Sequence, residues 1–344
     1  MKSALLTGIR TIELCDVPKP QLEKDTDVLL RLGAAGLCGS DIHYYLTGQI
    51  GDQVVKYPFT VGHECAAVVE KIGGNVTRVK PGDRIVIDPA IACGKCAQCL
   101  EGRPHTCLNL LFLGCPGQVE GCLSEFIVMP QANCYAIKED TTLEQGVLVE
   151  PLSIGVYALK LLNNFDTEAI GILGCGPIGL SVLLAAGAEG ICPAYVTDKI
   201  DERLDAARNA GAEWVGNPDK SNIVEDIQTR VPFLDAVFEC CGDQAAMDQA
   251  IELLKPGGKL LVIGIPKIDR ISFDINKLRR KEICIQNVRR QNRCVQAAID
   301  LIENKRVDVK FMATHSFVLE DTGEAFELVS GYRDGVLKAV IKFD

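Results

Sequence analysis

The sequence predicts an α/β protein of two parts: a β-rich unit followed by a doubly wound unit with a parallel sheet. Residues 1 to about 150 contain short β-like runs separated by turns such as Lys80-Pro81-Gly82-Asp83. After Pro151, strand-like and helical runs alternate, which is typical of a parallel sheet covered on both faces. The length of 344 residues fits two domains at about 150 residues each.

Four β-like runs mark the first part, and each is rich in apolar residues between turn residues. They are residues 28–32, 65–72, 84–87 and 124–129. Near the end of the chain, a helical run at 294–304 is followed by a β-like run at 338–343. This last segment is short for a domain of its own, so we expect it to return to the β-rich unit. The predicted domains are residues 1–150 with 287–344, and residues 151–286.

The second part alternates strands and helices. Strands are predicted at residues 169–173, 194–197, 213–215, 236–240 and 259–264. Helices are predicted at residues 178–188, 202–210, 223–230 and 244–254. Gly211 directly follows the second helical run, where a glycine in the left-handed conformation commonly ends a helix. Such alternation predicts parallel strands joined by crossover helices.

Composition and charge exclude several kinds of partner. The chain has 36 Lys and Arg against 46 Asp and Glu, a net charge of −10, so we expect neither nucleic acid nor an anionic membrane as partner. The uncharged run 169–188 contains Pro177 and several glycines, which favour a strand and a helix over a membrane span. The first residues lack the features of a secretory signal, so we expect a cytoplasmic protein. In that compartment the 16 cysteines predict metal ligands and buried thiols.

A glycine-rich turn predicts a dinucleotide-binding site. Residues 174–179 fit G-x-G-x-x-G between an apolar strand and an apolar helix, and a carboxylate at position 198 ends the next strand. Helix N–H groups then bind the pyrophosphate, and the carboxylate accepts hydrogen bonds from the ribose. That carboxylate repels a 2′-phosphate, so we predict NAD over NADP, a preference that the nearby Lys199 and Arg203 weaken. The predicted cofactor residues here are Gly174, Gly176, Pro177, Ile178, Gly179, Asp198 and Arg203.

A loop with four cysteines predicts a metal site. Cys93, Cys96, Cys99 and Cys107 lie within fifteen consecutive residues. Four thiolates around one tetrahedral Zn²⁺ leave no open coordination position, so we expect a structural zinc. His105 is a competing ligand by residue type. An iron–sulfur cluster is the main chemical alternative, because C-x2-C-x2-C also occurs in ferredoxins.

Three further segments carry a resemblance to a known family. They read GLCGSDIHYY at 36–45, VGHE at 61–64 and VEPLS at 149–153. Together with the cysteine loop, the glycine-rich turn and VTDKIDERL at 196–204, they resemble the zinc-dependent medium-chain dehydrogenases, within them the sorbitol (polyol) dehydrogenase branch. The resemblance covers essentially the whole chain. It implies a GroES-like β-rich catalytic domain and a Rossmann NAD-binding domain.

The resemblance implies a second, catalytic zinc. Cys38 and His63 would be two of its protein ligands, and Glu64 would be the third. Glu150 would lie beside the metal, where it holds the metal's water or binds the metal in an alternative state. In some members the roles of the two glutamates change, so both assignments stay open at this point.

Further positions match residues around the substrate and the nicotinamide. Ser40 and His43 match positions near the proton-exit route. The positions that contact polyol hydroxyls are matched by Tyr44, Glu150 and Arg289. The segments that line the nicotinamide pocket are matched by Ile263, Gly264, Ile265, Asn287 and Val288. The resemblance also implies a homodimer or homotetramer, with dimers joined through a sheet-edge strand near residues 260–265.

These features predict reversible, zinc-dependent and NAD-dependent oxidation of a secondary alcohol of a polyol, similar to sorbitol or xylitol, to the ketose. A zinc ion with an open position lowers the pKa of a bound oxygen, and the nicotinamide accepts the hydride. Arg290 stands where polyol-specific relatives often carry an aromatic residue, so threonine, a sugar acid and a sugar-alcohol phosphate stay open as substrates. A structural NAD-binding and zinc-binding protein is the alternative outside the enzymes, and the joint presence of the four predicted ligands argues against it.

Overall fold

The computed structural model describes residues 1–163 and 165–343. Contacts between residues divide the chain into two units. The first unit contains Met1–Glu150, Ala298–Lys305 and the residues from Val309 onward. The second unit contains Pro151–Ala297 and Arg306–Asp308.

The first unit consists mainly of strands. Its elements up to the point where the chain enters the second unit are β1 (Lys2–Gly8), β2 (Thr11–Asp16), β3 (Asp27–Gly36), α1 (Gly39–Thr47), β4 (Gln49–Ile50), β5 (Gln53–Val54), β6 (Glu64–Ile72), β7 (Arg84–Ile87), β8 (Ala90–Ile91), α2 (Ala97–Leu100), β9 (Leu111–Phe112), β10 (Phe126–Pro130), β11 (Cys134–Ala136), α3 (Leu143–Val147) and α4 (Val149–Lys160). Helix α4 begins in the first unit and continues into the second.

The second unit alternates strands with helices, as the sequence predicts. Its elements are β12 (Ile170–Leu173), α5 (Pro177–Ala188), β13 (Ala194–Thr197), α6 (Asp201–Asn209), β14 (Trp214–Gly216), α7 (Ile223–Gln228), β15 (Leu234–Glu239), α8 (Gln244–Leu253), β16 (Leu254–Val262), α9 (Ile275–Lys281) and β17 (Cys284–Asn287). The remaining elements of the chain are α10 (Val295–Glu303), β18 (Ala313–Val318), α11 (Thr322–Ser330) and β19 (Lys338–Lys342).

A seven-stranded sheet forms the core of the first unit. Its strand order is β11-β7-β6-β3-β19-β18, and β10 pairs with the N-terminal half of β3. Strand β3 is buried along most of its length. Val28, Leu30, Leu32 and, beyond a register shift after Leu32, Ala35 belong to one hydrophobic core cluster, while Leu29 and Ala34 are buried outside it. The end of β3 is therefore held between β6 and β19, and this end positions the metal site described below.

The second unit has a six-stranded parallel sheet in the order β14-β13-β12-β15-β16-β17. Counted along the chain this is the order 3-2-1-4-5-6 of dinucleotide-binding sheets, which reverses between β12 and β15. Helices α7, α8 and α9 each begin after a capping residue (Asn222, Asp243 and Asp274) whose side chain accepts a first-turn N–H bond. The predicted fold class is confirmed: a β-rich unit and a doubly wound unit.

Two expectations about the chain after β15 differ from the structure. The sequence predicts a return to the β-rich unit at residue 287, but the chain stays in the second unit until Ala297. The reason is β17, which pairs with β16 as a sixth strand that the sequence does not mark. For the same reason the predicted edge strand near 260–265 is wrong: β16 lies between two neighbours, and β17 is the edge.

The uncharged run 169–188 forms β12 and α5, as expected. Within residues 1–163 and 165–343, no helix has the combined length and apolar character needed to cross a bilayer.

Candidate metal and cofactor sites

Three predicted metal ligands come together at one end of the seven-stranded sheet. Gly36, the last residue of β3, pairs with Glu64, the first residue of β6, and this pairing brings Cys38 and His63 side by side. The donor atoms of Cys38, His63 and Glu64 all lie within 4.8 Å of one another. Thiolate, imidazole and carboxylate are the donors that zinc binds, and catalytic zinc has three protein ligands and one open position. The group therefore fits a catalytic zinc.

One buried carboxylate organises the backbone around these ligands. Cys38 is the N-cap of α1, and Asp41 Oδ2 accepts a hydrogen bond from its N–H at 2.9 Å. Asp41 Oδ1 accepts from the N–H of Gly62 at 3.1 Å and lies 3.6 Å from His63 Nδ1. Such a partner on the Nδ1 side favours the tautomer whose Nε2 is free for a metal. Sequence reasoning assigned Asp41 no role, although an acidic residue three positions after a helix N-cap is a recognisable sign that its side chain accepts from the N–H of the capping residue.

Negative groups around His63 change its protonation. Burial by itself lowers the pKa of His63, but the charges of Asp41 and of the Cys38 thiolate outweigh it, so the pKa lies well above its ordinary value. The ring also packs against Phe112, with 5.2 Å between the ring centroids. An imidazole must be neutral to bind a metal.

Glu150 is a second buried carboxylate near the three ligands. It lies in the first turn of α4. Burial raises the pKa of Glu150 to about 7, and the charge of Glu64 acts in the same direction while that of His63 opposes it. Glu150 is not a member of the group whose donor atoms lie within 4.8 Å of one another. Its role beside the metal stays a prediction.

A buried lysine pairs with the predicted third ligand. Lys338, the first residue of β19, donates from Nζ to Glu64 Oε1 at 2.7 Å, to Glu64 Oε2 at 2.5 Å and to the carbonyl oxygen of Leu37 at 3.0 Å. Burial lowers the pKa of Lys338, but the charges of Glu64 and Cys38 outweigh it, and the pKa lies above its ordinary value. Sequence reasoning missed this residue. The only available signal was a lysine at the start of an apolar β-like run.

The other candidates of the first unit lie on α1. Ser40 and His43 are partly exposed, whereas Tyr44 is buried. The hydroxyl of Tyr44 donates to Gln53 Oε1 at 2.9 Å. All three follow Cys38 within two helical turns. Their roles toward the substrate and its proton stay predictions.

The four thiols of the cysteine loop form one cluster. The sulfur atoms of Cys93, Cys96, Cys99 and Cys107 all lie within 4.8 Å of one another, and Cys96 Sγ is 3.6 Å from Cys99 Sγ and 3.8 Å from Cys107 Sγ. Four sulfurs that each lie about 2.3 Å from one zinc are about 3.8 Å apart. The spacing fits a single ion, whereas a cluster of several iron atoms separates its thiolates further. His105 is not a member of this cluster.

Backbone N–H groups stabilise the sulfurs of this cluster. The N–H of Cys93 donates to Cys107 Sγ at 3.3 Å, and the N–H of Leu108 donates to Cys96 Sγ at 3.4 Å. Backbone N–H groups of neighbouring residues lower the pKa of Cys93 to about 6. The pKa of Cys96 is lowered in the same way, whereas burial and the neighbouring thiols raise the pKa of Cys99 to about 12. Backbone N–H groups therefore favour the thiolate, the form that binds zinc, at Cys93 and Cys96.

The glycine-rich turn joins β12 to α5 at the carboxyl edge of the parallel sheet. Gly174 has a positive φ of 94°, Gly176 is the N-cap of α5, and Pro177 with Ile178 begins its first turn. A Cβ at Gly179 would lie 2.0 Å from the carbonyl oxygen of Gly174, so the helix packs this closely only because the residue has no side chain. The free N–H groups of α5 thus lie where the strand order reverses, the usual position of a pyrophosphate.

Asp198 connects the end of β13 to this turn. Its Oδ2 accepts from the N–H of Cys175 at 2.6 Å, and its Oδ1 accepts from the N–H of Ile200 at 2.9 Å. A carboxylate has about four acceptor sites, so two are left for ribose hydroxyls. A guanidinium nitrogen of Arg203 lies 4.0 Å from Asp198 Oδ2. The same nitrogen would lie 3.3 Å from a Cβ at Gly176. The carboxylate and this cation therefore both adjoin the turn.

The residues predicted to line the nicotinamide pocket follow the ends of β16 and β17. The N–H groups of Ile263 and Gly264 donate to the carbonyl oxygen of Glu239 at 2.9 and 3.0 Å. Ile265 comes next and is exposed. Because all strands of this sheet are parallel, these residues lie at the same edge as the glycine-rich turn.

On the neighbouring strand, Asn287 is the last residue of β17, and Val288 donates its N–H to the carbonyl oxygen of Val262 at 2.9 Å. Arg289 follows in the second unit with an exposed side chain. The contacts of Arg289 with substrate, and those of the pocket residues with cofactor, stay predictions.

Comparison with known proteins identifies the family. The profile of the alcohol dehydrogenase GroES-like domain matches residues 24–139, and that of the zinc-binding dehydrogenases matches residues 177–304. The chain is 34% identical to a sorbitol dehydrogenase of Bacillus subtilis (strain 168) over 343 residues, which cover 99% of this chain and 97% of the relative. It is 32% identical to an L-idonate 5-dehydrogenase of Vitis vinifera over 333 residues, or 94% and 90% of the two chains.

Solved structures agree with this result. An oxidoreductase/dehydrogenase of unknown specificity from Escherichia coli superimposes with a TM-score of 0.92 at 32% identity, covering 100% of this chain and 99% of that chain. The resemblance drawn from the sequence motifs is thus confirmed over both units. The chain belongs to the zinc-dependent medium-chain dehydrogenase family, in its sorbitol dehydrogenase branch.

Proposed function

We propose that this enzyme reversibly oxidises a secondary hydroxyl of a polyol, similar to sorbitol or xylitol, to the ketose, with NAD as its cofactor. The observation that carries the proposal is the group of Cys38, His63 and Glu64, which offers three donors for a zinc ion, with Glu150 near enough to interact with the charges of His63 and Glu64. The names of the relatives, sorbitol dehydrogenase and L-idonate 5-dehydrogenase, support a substrate with several hydroxyl groups.

The first unit binds and activates the alcohol. A zinc ion held by Cys38, His63 and Glu64 supplies a Lewis acid that lowers the pKa of the substrate hydroxyl. His63 and Glu64 are themselves buried, so these two ligands have little direct contact with bulk water. Ser40 and His43 pass the released proton to solvent, because they follow the metal ligand on α1 and are partly exposed.

The second unit binds the cofactor, which supplies a nicotinamide ring that accepts the hydride. The N–H groups at the start of α5 bind the pyrophosphate, and the acceptor sites left on Asp198 bind the ribose hydroxyls. The negative charge of Asp198 disfavours a 2′-phosphate, and Arg203 at 4.0 Å offsets part of that charge. We therefore propose a moderate preference for NAD.

The variant Asp198→Asn tests this preference, because it removes the charge and keeps the size of the side chain. We expect the ratio of kcat/KM with NAD to kcat/KM with NADP to fall by about tenfold. Asp201→Asn is the matched control, since Asp201 lies three residues further on and pairs with Lys220 at the surface. An unchanged ratio in the Asp198 variant contradicts the assigned role.

A substrate panel tests the proposed reaction. It contains sorbitol, xylitol, a sugar acid, a phosphorylated sugar alcohol and threonine, each with NAD and with NADP. We expect the highest kcat/KM with an uncharged polyol. A preference for an acid or a phosphate contradicts the substrate class and points to Arg290. Metal analysis is a second test: we expect two zinc ions per chain, whereas a structural protein with only the cysteine loop retains one.

We further propose a cytoplasmic homodimer or homotetramer. The free cysteines of both candidate metal clusters favour a reducing compartment. Strand β17 has β16 as its only neighbour in the sheet of the described residues, so its outer edge is available for pairing with a second copy. Light scattering after gel filtration checks the assembly, and a monomer contradicts it.

A further inference from the structure

The pair formed by Lys338 and Glu64 bridges three strands of the first unit. Strand β3 lies between β6 and β19, and its last residue, Gly36, pairs with Glu64 on one side and with Val340 on the other. A Cβ at Gly36 would lie 2.5 Å from Glu64 Oε2 and 3.2 Å from Lys338 Cδ. The two side chains therefore meet across β3 because the residue between them has no side chain.

Every proton of the Lys338 ammonium group has an acceptor, namely the two oxygens of Glu64 and the carbonyl oxygen of Leu37. The side chains of Lys338 and Glu64 are only 2% and 1% exposed. A buried ion pair contributes little net stability, because the loss of hydration offsets the attraction of the charges. Stability of the sheet alone thus gives no reason for a lysine at this position.

The carboxylate held by this lysine is also one of the three metal donors. The two oxygens of a carboxylate offer about four acceptor sites, so Glu64 can pair with Lys338 and bind a metal together. Each cation reduces the electron density that the carboxylate offers to the other. Outer partners of this kind tune how strongly a ligand binds its metal.

We propose that Lys338 is a positioning residue that holds Glu64 beside Cys38 and His63 and weakens its bond to the metal. Glu64 is then a ligand that can leave the metal and bind it again. Lys338 places one positive charge directly on the Glu64 carboxylate, so this ligand offers less negative charge to a divalent ion than an unpaired carboxylate would. This inference rests on the proposed function, and it identifies Lys338 as the residue that sets how strongly Glu64 binds the metal.

The variant Lys338→Met tests the inference through the rate at which the protein loses zinc to a chelator. Methionine keeps the length of the side chain and removes its charge, so Glu64 binds zinc more strongly. We expect zinc to leave this site about tenfold more slowly, and kcat to fall. A lysine with a merely structural role predicts the opposite, since a destabilised site loses its zinc faster. The variant Cys38→Ser retains only the zinc of the cysteine loop and supplies the baseline.

Three further variants make the test specific. Lys338→Arg is the matched control, because it keeps the charge and is expected to lose zinc at the rate of the unmodified protein. In a Glu64→Gln background, Lys338→Met is expected to cause no further slowing, since its effect passes through Glu64. If Lys338→Met does not fold, we expect the same slower loss of zinc from Lys338→Gln, because glutamine keeps a hydrogen-bond donor and has no charge.

Unchanged or faster loss of zinc in the uncharged variants overturns the inference and leaves the proposed function intact. If instead the unmodified protein holds no more zinc than Cys38→Ser, the metal site itself is absent, and the proposed function fails. The two failures are thus distinguishable by zinc content alone.

Discussion

The two candidate metal sites of the first unit are built in opposite ways. The four-thiol site lies within residues 93–107, and backbone N–H groups donate to its sulfurs. The other site takes Cys38, His63 and Glu64 from separate segments, and its outer partners are the side chains of Asp41 and Lys338. One is local and supported by backbone, whereas the other is assembled by the sheet and supported by side chains.

We propose that this difference separates a site that holds a loop from a site that performs chemistry. Four thiolates fill a tetrahedral ion completely, and backbone donors stay in place whatever the side chains are. Three donors leave a position for substrate, and charged side chains around them tune the ligands. Substitutions at the two sites should therefore have different effects. We expect loss of turnover at the site of Cys38, His63 and Glu64, and loss of stability at the four-thiol site.

The largest expected effect is that of Cys38→Ser. Without the thiolate the protein loses one of two zinc ions, and turnover falls by on the order of a thousandfold, since the Lewis acid supplies several kcal/mol of transition-state stabilisation. NAD still binds, because its predicted residues lie in the second unit. Zinc analysis, steady-state kinetics and NADH fluorescence measure the three quantities. Cys15→Ser, a thiol outside both clusters, is the control. A wild-type rate in Cys38→Ser contradicts a catalytic zinc here.

The second prediction concerns Cys107→Ser in the cysteine loop. This variant also loses one zinc ion, but the main expected effect is on stability, because structural zinc binding is coupled to folding. We expect the Tm to fall by about 5–10 °C, with turnover at low temperature reduced much less than in Cys38→Ser. Calorimetry and kinetics at 15 °C or below check this. Equal losses of turnover in Cys107→Ser and Cys38→Ser would contradict a structural role for one site and a catalytic role for the other.

The third prediction concerns Asp41→Asn, which weakens the outer support of the dispersed site. The amide keeps the shape of the side chain but removes the charge that faces His63, and its NH2 group cannot accept one of the two N–H bonds that Asp41 receives from Cys38 and Gly62. We expect the affinity of that site for zinc to fall by about 10- to 100-fold, measured by chelator competition, with the cysteine-loop zinc unaffected. An unchanged affinity means that neither the charge of Asp41 nor its pair of backbone hydrogen bonds is needed to organise the ligands.

The smallest effect is expected for Asn109→Ala, the counterpart of Asp41→Asn in the cysteine loop. The Asn109 side chain donates to Cys93 Sγ at 3.8 Å, whereas its backbone N–H donates to Cys107 Sγ at 3.4 Å and survives the substitution. Zinc retention should therefore change less than threefold, about 0.6 kcal/mol. A loss as large as that of Asp41→Asn would show that side chains support both sites alike.

Sequence reasoning succeeded where the pattern is local. The order of strands and helices in the second unit was predicted closely, because periodicity and the glycine-rich turn are properties of neighbouring residues. It missed β17 and therefore named the wrong edge strand, since a short, half-exposed strand such as Cys284–Asn287 has little pattern of its own and depends on pairing with β16.

The dispersed site shows the same limit. The motifs around Cys38 and His63 were recognisable by resemblance, but Asp41 and Lys338 were not assigned. Their importance depends on distances between segments that are far apart in the chain, such as the 274 positions between Glu64 and Lys338. Glu64 and Lys338 meet over Gly36 only because β6 pairs with β3, and β3 pairs with β19, in antiparallel fashion.

The sequence by itself determined the two-part architecture, the four-thiol loop, the glycine-rich turn and the family. Each of these is written in residues that are neighbours, or in motifs that are specific in combination. The tertiary structure decided which strand is the edge, where the chain leaves the second unit, and which charge faces Glu64. The physical reason is that strand pairing and the burial of charge depend on contacts between distant segments, and no local pattern records them.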